Sequence, residues 1–206
     1  MKTRSLRCSR TVFCKARAAV ALAAVLLFSG RLLAQETVVT LDAAQTRIEY
    51  TLGATAHTVH GTFKLKRGVV RFDPATGKAS GVIVVDATSG NSGNDGRDSK
   101  MHREILESQK YPEVVFTPAQ VKGTLNPQGT SQLGVAGTFR LRGQDHELTL
   151  PILVQLAGSE ATASTHFAIP YQKWGLKNPS TFILRVKDTV EIEVRGSAHV
   201  APAGAK

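Results

Sequence analysis

Past its first 34 residues this 206-residue chain has no cysteine, because the two it holds are Cys8 and Cys14. That absence excludes a disulfide framework, a thiolate metal site and a cysteine nucleophile from the body of the protein. Aromatics are also scarce, at 6% with a single tryptophan, and no basic face interleaved with them appears, which removes the main signature of a nucleic-acid partner. Acidic residues are missing from residues 1–34, whereas Lys2, Arg4, Arg7, Arg10, Lys15, Arg17 and Arg31 all fall there. Nor is there an apolar run of membrane-spanning length: the longest, Ala18 to Phe28, is broken by Gly30-Arg31.

What those 34 residues do contain, in order, is a basic start, a short apolar core and small residues ending at Leu32-Leu33-Ala34. This order predicts a secretory signal peptide cleaved after about Ala34, with no stable membrane anchor. Gln35 and Glu36 follow, where a lipoprotein would need cysteine. Removing seven of the 26 basic residues and none of the 16 acids leaves 19 − 16 = +3, so the high pI belongs mostly to the leader. The remaining 172 residues (206 − 34) suit one domain. We set its bounds at 35–200, with residues 201–206 as a disordered tail.

Within that domain apolar residues recur at every second position, as in Val135 to Leu141, which marks strands dry on one face and wet on the other. Eight such stretches are expected: 47–52, 58–72, 79–87, 113–122, 132–142, 146–156, 161–169 and 189–200. Turn chemistry separates them at Asp73-Pro74, Asn126-Pro127, Gly143-Gln144 and Gly158-Ser159. Gly143-Gln144 is expected to form a two-residue type II′ hairpin. One helix interrupts the series, with Asp98 as its cap, Met101 and Ile105 one turn apart, and Tyr111-Pro112 as its end. Meander order and short hairpins predict an all-β, eight-stranded antiparallel barrel with that short helix inserted, a two-sheet sandwich being the alternative.

No residue set builds a catalytic or metal site. His57 and His60, three apart on a strand, face opposite ways. His102 with Asp95 and Asp98 makes a poor metal set, and the Asn91 to Arg97 loop lacks the ligand alternation of a calcium loop. Catalytic residues, cofactors and metals are therefore expected to be none. The inward stripes remain. They hold Tyr50, Phe63, Phe72, Ile83, Phe116, Phe139, Leu141, Ile152 and Phe167, with Trp174 as either plug or platform, and an eight-stranded interior either fills with such side chains or leaves room for one slender ligand. Asn94, Arg97, His102 and Lys173 are the candidates at the mouth, where an arginine can meet an acidic head group.

Taken together, these motifs resemble the exported YceI-like family. The resemblance is carried by Leu41-Asp42 with Arg47-Ile48-Glu49-Tyr50, by Thr58 to Phe63, by Gly68 to Pro74, by Gly93 to Asp98 with Met101-His102, by Tyr111-Pro112, by Gly137 to Gly143 and by Asp188 to Ile192. It departs from the family pattern at Tyr171 to Leu176 and in the extension Lys177-Asn178-Pro179-Ser180. The resemblance implies a lipocalin-like barrel whose apolar tunnel holds a polyisoprenoid or fatty-acid-like lipid, as a non-enzymatic periplasmic carrier or store. Homodimer formation is left open. The competing expectation is a filled barrel that serves the envelope as a stress or protein-interaction module through exposed loops.

Overall fold

A computed structural model describes residues 36–55, 57–126, 128–180 and 185–204. The expected signal peptide lies outside the described residues. Nine strands run in chain order: β1 Thr37–Leu41, β2 Arg47–Gly53, β3 Thr58–Phe72, β4 Ala79–Asn91, β5 Glu113–Lys122, β6 Gln128–Leu141, β7 Gln144–Ala157, β8 Glu160–Ile169 and β9 Val190–Pro202. Between β4 and β5 stands α1, Asp95–Lys100, which continues into a π-helical turn, Met101–Ile105.

All pairings are antiparallel, and the order β3-β2-β9-β8-β7-β6-β5-β4 closes on itself through β3–β4. β1 pairs with the far ends of β3 and β9, Thr37 opposite both Phe72 and Pro202, while β2 pairs with their near ends, Ile48 opposite Phe63 and Val194. The two short strands thus share one position in the wall. The result is an eight-stranded barrel built from nine segments, without exposed edges of the kind an open sheet must protect.

Four expectations shift by a few residues or a strand. β1 was not anticipated, since five residues have too short a period to register and pair only with partners distant in sequence. The β6–β7 reversal is Arg142-Gly143, with Leu141 opposite Gln144; both turn residues have positive φ (52° and 74°), which is type I′ rather than II′. The helix cap is Asn94, whose side-chain oxygen accepts the Arg97 backbone N–H at 2.9 Å, while Asp98 turns back to Ser92. β9 also extends to Pro202 on its pairing with β1, past the expected end of the domain.

A register shift in β3 between Leu65 and Arg67 lets one long strand change the parity of its inward residues, from Val59, Phe63 and Leu65 to Val70 and Phe72. The main apolar cluster gathers Phe116, Val135, Phe139, Leu141, Leu150, Ile169, Tyr171 and Leu176 from β5 to β8 and the segment after β8. Truncating a buried aromatic of this kind to alanine costs about 3–5 kcal/mol.

Candidate functional site

Inward residues of the strands leave open space between them. They surround a cavity of about 660 Å³, within the range of small-molecule sites. On β9 alone Val190, Ile192, Val194, Gly196 and Ala198 line it. Those eight steps span about 26 Å of strand at ~3.3 Å per residue, or roughly 20 Å along the axis at the usual barrel tilt. The space is therefore a bore, long and narrow. Its walls are aliphatic and aromatic for most of that length: Ile48, Tyr50 and Leu52 from β2, Phe63 and Leu65 from β3, Ile83 and Val85 from β4, Phe116, Phe139, Leu150, Ile152 and Phe167 beyond. Thr165 also lines it, and its hydroxyl is buried with no hydrogen-bond partner.

The helical insert and the segment after β8 form one end. Gly96, Arg97, Lys100, Met101, Ile105 and Leu106 face the bore from the insert; Tyr171, Leu176, Pro179 and Val186 face it from the segment, with Ala54 and His57 from the β2–β3 turn. Local hydrogen bonds hold the insert in place. His102 joins the Gly90 carbonyl (2.9 Å) to the Ser108 hydroxyl (3.0 Å), and Ser108 is buried. Arg97 donates through Nε to Ser92 Oγ (2.7 Å) and through Nη2 to Ser92 O (2.8 Å). Burial would raise the Asp98 carboxyl, but hydrogen bonds from Ser92, with Arg97 and His102 nearby, outweigh it and hold the group below the usual carboxylate range. The Tyr50 hydroxyl, pushed up mainly by burial, lies 3.7 Å from the Met101 sulfur.

A family model described as the YceI-like domain matches residues 39–198. The chain belongs to that family. It is 29% identical over 144 residues to the UPF0312 protein of Pseudomonas savastanoi pv. phaseolicola, covering 68% of this chain and 71% of that one, and equally to its counterpart in Pseudomonas syringae pv. tomato. BcnA of Burkholderia cenocepacia superposes with a TM-score of 0.62 at 19% identity, covering 78% of this chain and 99% of that one. A polyisoprenoid-binding domain from Saccharophagus degradans, implicated in plant cell wall breakdown, gives 0.62 at 17% identity, with 79% and 98% covered. At those identities the superpositions speak for the fold alone.

Within this YceI-like barrel, Tyr50, Phe63, Ile83, Phe116, Phe139, Leu141, Ile152 and Phe167 stand in the bore wall. Phe72 and Trp174 do not. Phe72 lies at the opposite end of the barrel, beside Thr37 and Ala79, and Trp174 packs on the inner face at the end formed by the segment after β8, stacked on His146 (ring centroids 4.1 Å, 3° between planes), the register partner of Phe139, and tilted against Phe139 itself at 5.7 Å. Of the four mouth candidates only Arg97 reaches the bore. Asn94 is occupied as the helix cap, His102 as the tie between insert and β4, and Lys173 is exposed on its turn. Lys100 and His57 were missed. The first had a readable signal, since residues three apart on a helix share a face and Arg97 was already singled out; the second depends on a turn whose direction no local pattern encodes. No group of three potential ligands suited to a metal occurs among the described residues.

Proposed function

We propose that this protein binds a long-chain amphiphile, of polyisoprenoid or fatty-acid type, with its tail along the bore, and acts as a non-enzymatic carrier or store. The single observation that carries this reading is the cavity: some 660 Å³, elongated and apolar along its walls. A tail there gains about 0.8 kcal/mol per buried CH₂, so a handful of methylenes offsets the ordering cost of binding. Discrimination among tails is expected to be loose, since apolar walls separate neighbours by only about 1–3 kcal/mol per methylene. Membership of the YceI-like family and likeness to a polyisoprenoid-binding domain support the choice of ligand class. The basic and apolar order of residues 1–34 supports export to the periplasm.

The filled-barrel alternative predicts side chains meeting across the axis. Phe63 and Phe139 line the space instead, and Trp174 packs on Phe139 and His146 at its end without lining it. Organic extraction of natively purified protein followed by mass spectrometry tests the proposal. A stoichiometric long-chain lipid is the expected result. An empty extract, together with no thermal stabilisation by added isoprenoid alcohols or fatty acids, would overturn it.

A further inference from the structure

If the bore takes an amphiphile, as proposed above, its two ends are not equivalent. Among the described residues the wall carries no acidic side chain, and its basic ones, His57, Arg97 and Lys100, all stand at the end formed by the insert. At the other end the polar positions are uncharged, Thr46 and Ser197.

The three basic groups differ in how far their charge is already answered. Arg97 spends two of its nitrogens on Ser92 and has the ionised Asp98 beside it. His57 is exposed. Lys100 faces the bore, and its ammonium touches only the Pro179 carbonyl, at 3.4 Å. Among the described residues it has no acidic partner within ion-pair distance. Asp95 and Glu104 on the same insert do not line the bore. A compact cation with spare donors, set where an apolar tunnel meets solvent, suits a group that is both charged and hydrogen-bond accepting.

We infer that the bound amphiphile carries an anionic head, carboxylate or phosphate, and that Lys100 is the residue selecting it. The tail then points away from the insert, past Tyr50 and Phe116, toward Ser197. The competing behaviour of such a lysine is to lay its stem on the wall and send its charge to water, in which case it selects nothing. Lys100→Met separates the two, because it keeps the stem and removes only the charge.

The experiment uses delipidated full-length protein and displacement of the neutral fluorophore N-phenyl-1-naphthylamine by hexadecanol, palmitate or hexadecyl phosphate. These share one tail length and differ in the head. Native protein is expected to bind at least one of the two anions about tenfold or more tightly than the alcohol, the size of one charge-assisted contact. The anion with the larger advantage identifies the head. Lys100→Met should bring the anion-to-alcohol ratio close to one while leaving hexadecanol unchanged, and Lys100→Glu should invert it. Lys122→Met, an exposed change at the other end of the barrel, should leave the ratio alone. Equal affinity for all three ligands in the native protein, or a ratio that Lys100→Met does not move, overturns the inference while leaving the bore reading intact. Failure of all three to bind overturns both.

Discussion

Arg142 and Glu107 are the two non-glycine residues with positive φ among the described residues, 52° and 49°, and their side chains form an ion pair with each other. The pair is partly sheltered, with side chains 25% and 29% exposed. Arg142 also donates to the Gly175 carbonyl at 3.2 Å. One guanidinium therefore ties together the β6–β7 hairpin, the exit of the helical insert and the turn that carries Trp174. Each backbone strain is tolerated because it aims a side chain at the other.

Arg142 variants separate the backbone part of this arrangement from the charge part. Arg142→Gly loses the ion pair but suits the positive φ, whereas Arg142→Ala loses the pair and keeps the strain. Urea unfolding should therefore rank native, then Gly, then Ala, with about 1 kcal/mol between Gly and Ala. A cycle with Glu107→Ala should give a coupling of about 1 kcal/mol, toward the upper end for a partly exposed pair. Equal stability of the Gly and Ala variants would contradict the backbone argument.

Gly61 and Tyr50 sit opposite each other on β3 and β2. A Cβ at Gly61 would lie 2.4 Å from the Tyr50 ring and 2.5 Å from the Asn91 carbonyl. The missing side chain lets the ring fold flat over the strand, where it meets Phe63 at 5.5 Å. Gly61→Ala should cost about 1–3 kcal/mol by overpacking. Adding Tyr50→Ala should recover part of that cost and not all, since the Asn91 carbonyl does not move with the ring. Full additivity of the two changes in unfolding experiments would show that they do not touch.

The barrel was legible because period two survives in nearly every strand, and a closed antiparallel meander is what such strands do when turns are short. The legible part of the bore is the part set by parity: Tyr50, Ile83, Phe116 and Ile152 face inward because their neighbours face out. What was not legible depends on geometry between elements. Whether inward side chains meet or leave a gap is decided by barrel width, and Trp174 reads the same in sequence whether it fills the bore or packs at its end on His146 and Phe139. β1 and β2 share one wall position only because β3 and β9 are long enough to receive both. The start of the insert was misassigned because Asn94 and Asp98 are equally good caps in composition, and only the loop's path shows that Asp98 is taken by Ser92.

Asp98 links the insert to pH. Its folded value is depressed, so it contributes stability above its unfolded value, near 3.9, and that contribution fades as pH falls through the lower folded value. The gap in urea midpoint between native protein and Asp98→Asn should be widest near pH 6 and close progressively below about pH 4. Hydrogen exchange should place the loosening in Ser92 to Ser108. A gap independent of pH would assign Asp98 a role other than accepting the Ser92 N–H and hydroxyl.

Thr165 is a polar atom stranded in an apolar wall. Its hydroxyl is buried without a partner, and its register neighbours are Ile152 and Val194. Burying an unpaired hydroxyl costs about 1–3 kcal/mol, so Thr165→Val, which keeps the shape, should stabilise the unliganded protein by about 1 kcal/mol. A loss of stability instead would mean that the hydroxyl is answered by water held in the bore.

Val194 faces the same stretch of wall, paired with Ile48 on one side and Thr165 on the other. Because it borders open space rather than packed side chains, a larger residue there can project into the bore without displacing the core cluster around Leu150 and Phe139. Val194→Trp should therefore leave the unfolding midpoint within about 1 kcal/mol of native, well short of the ~1–3 kcal/mol that overpacking a filled core costs. The same change should weaken N-phenyl-1-naphthylamine binding by about tenfold or more, through the area it denies the probe. The two readouts discriminate in opposite directions. A filled interior gives a badly destabilised variant, and a probe site on the outer surface gives a stable variant that binds as before. Only a hollow barrel that takes its ligand inside gives stability kept and binding lost.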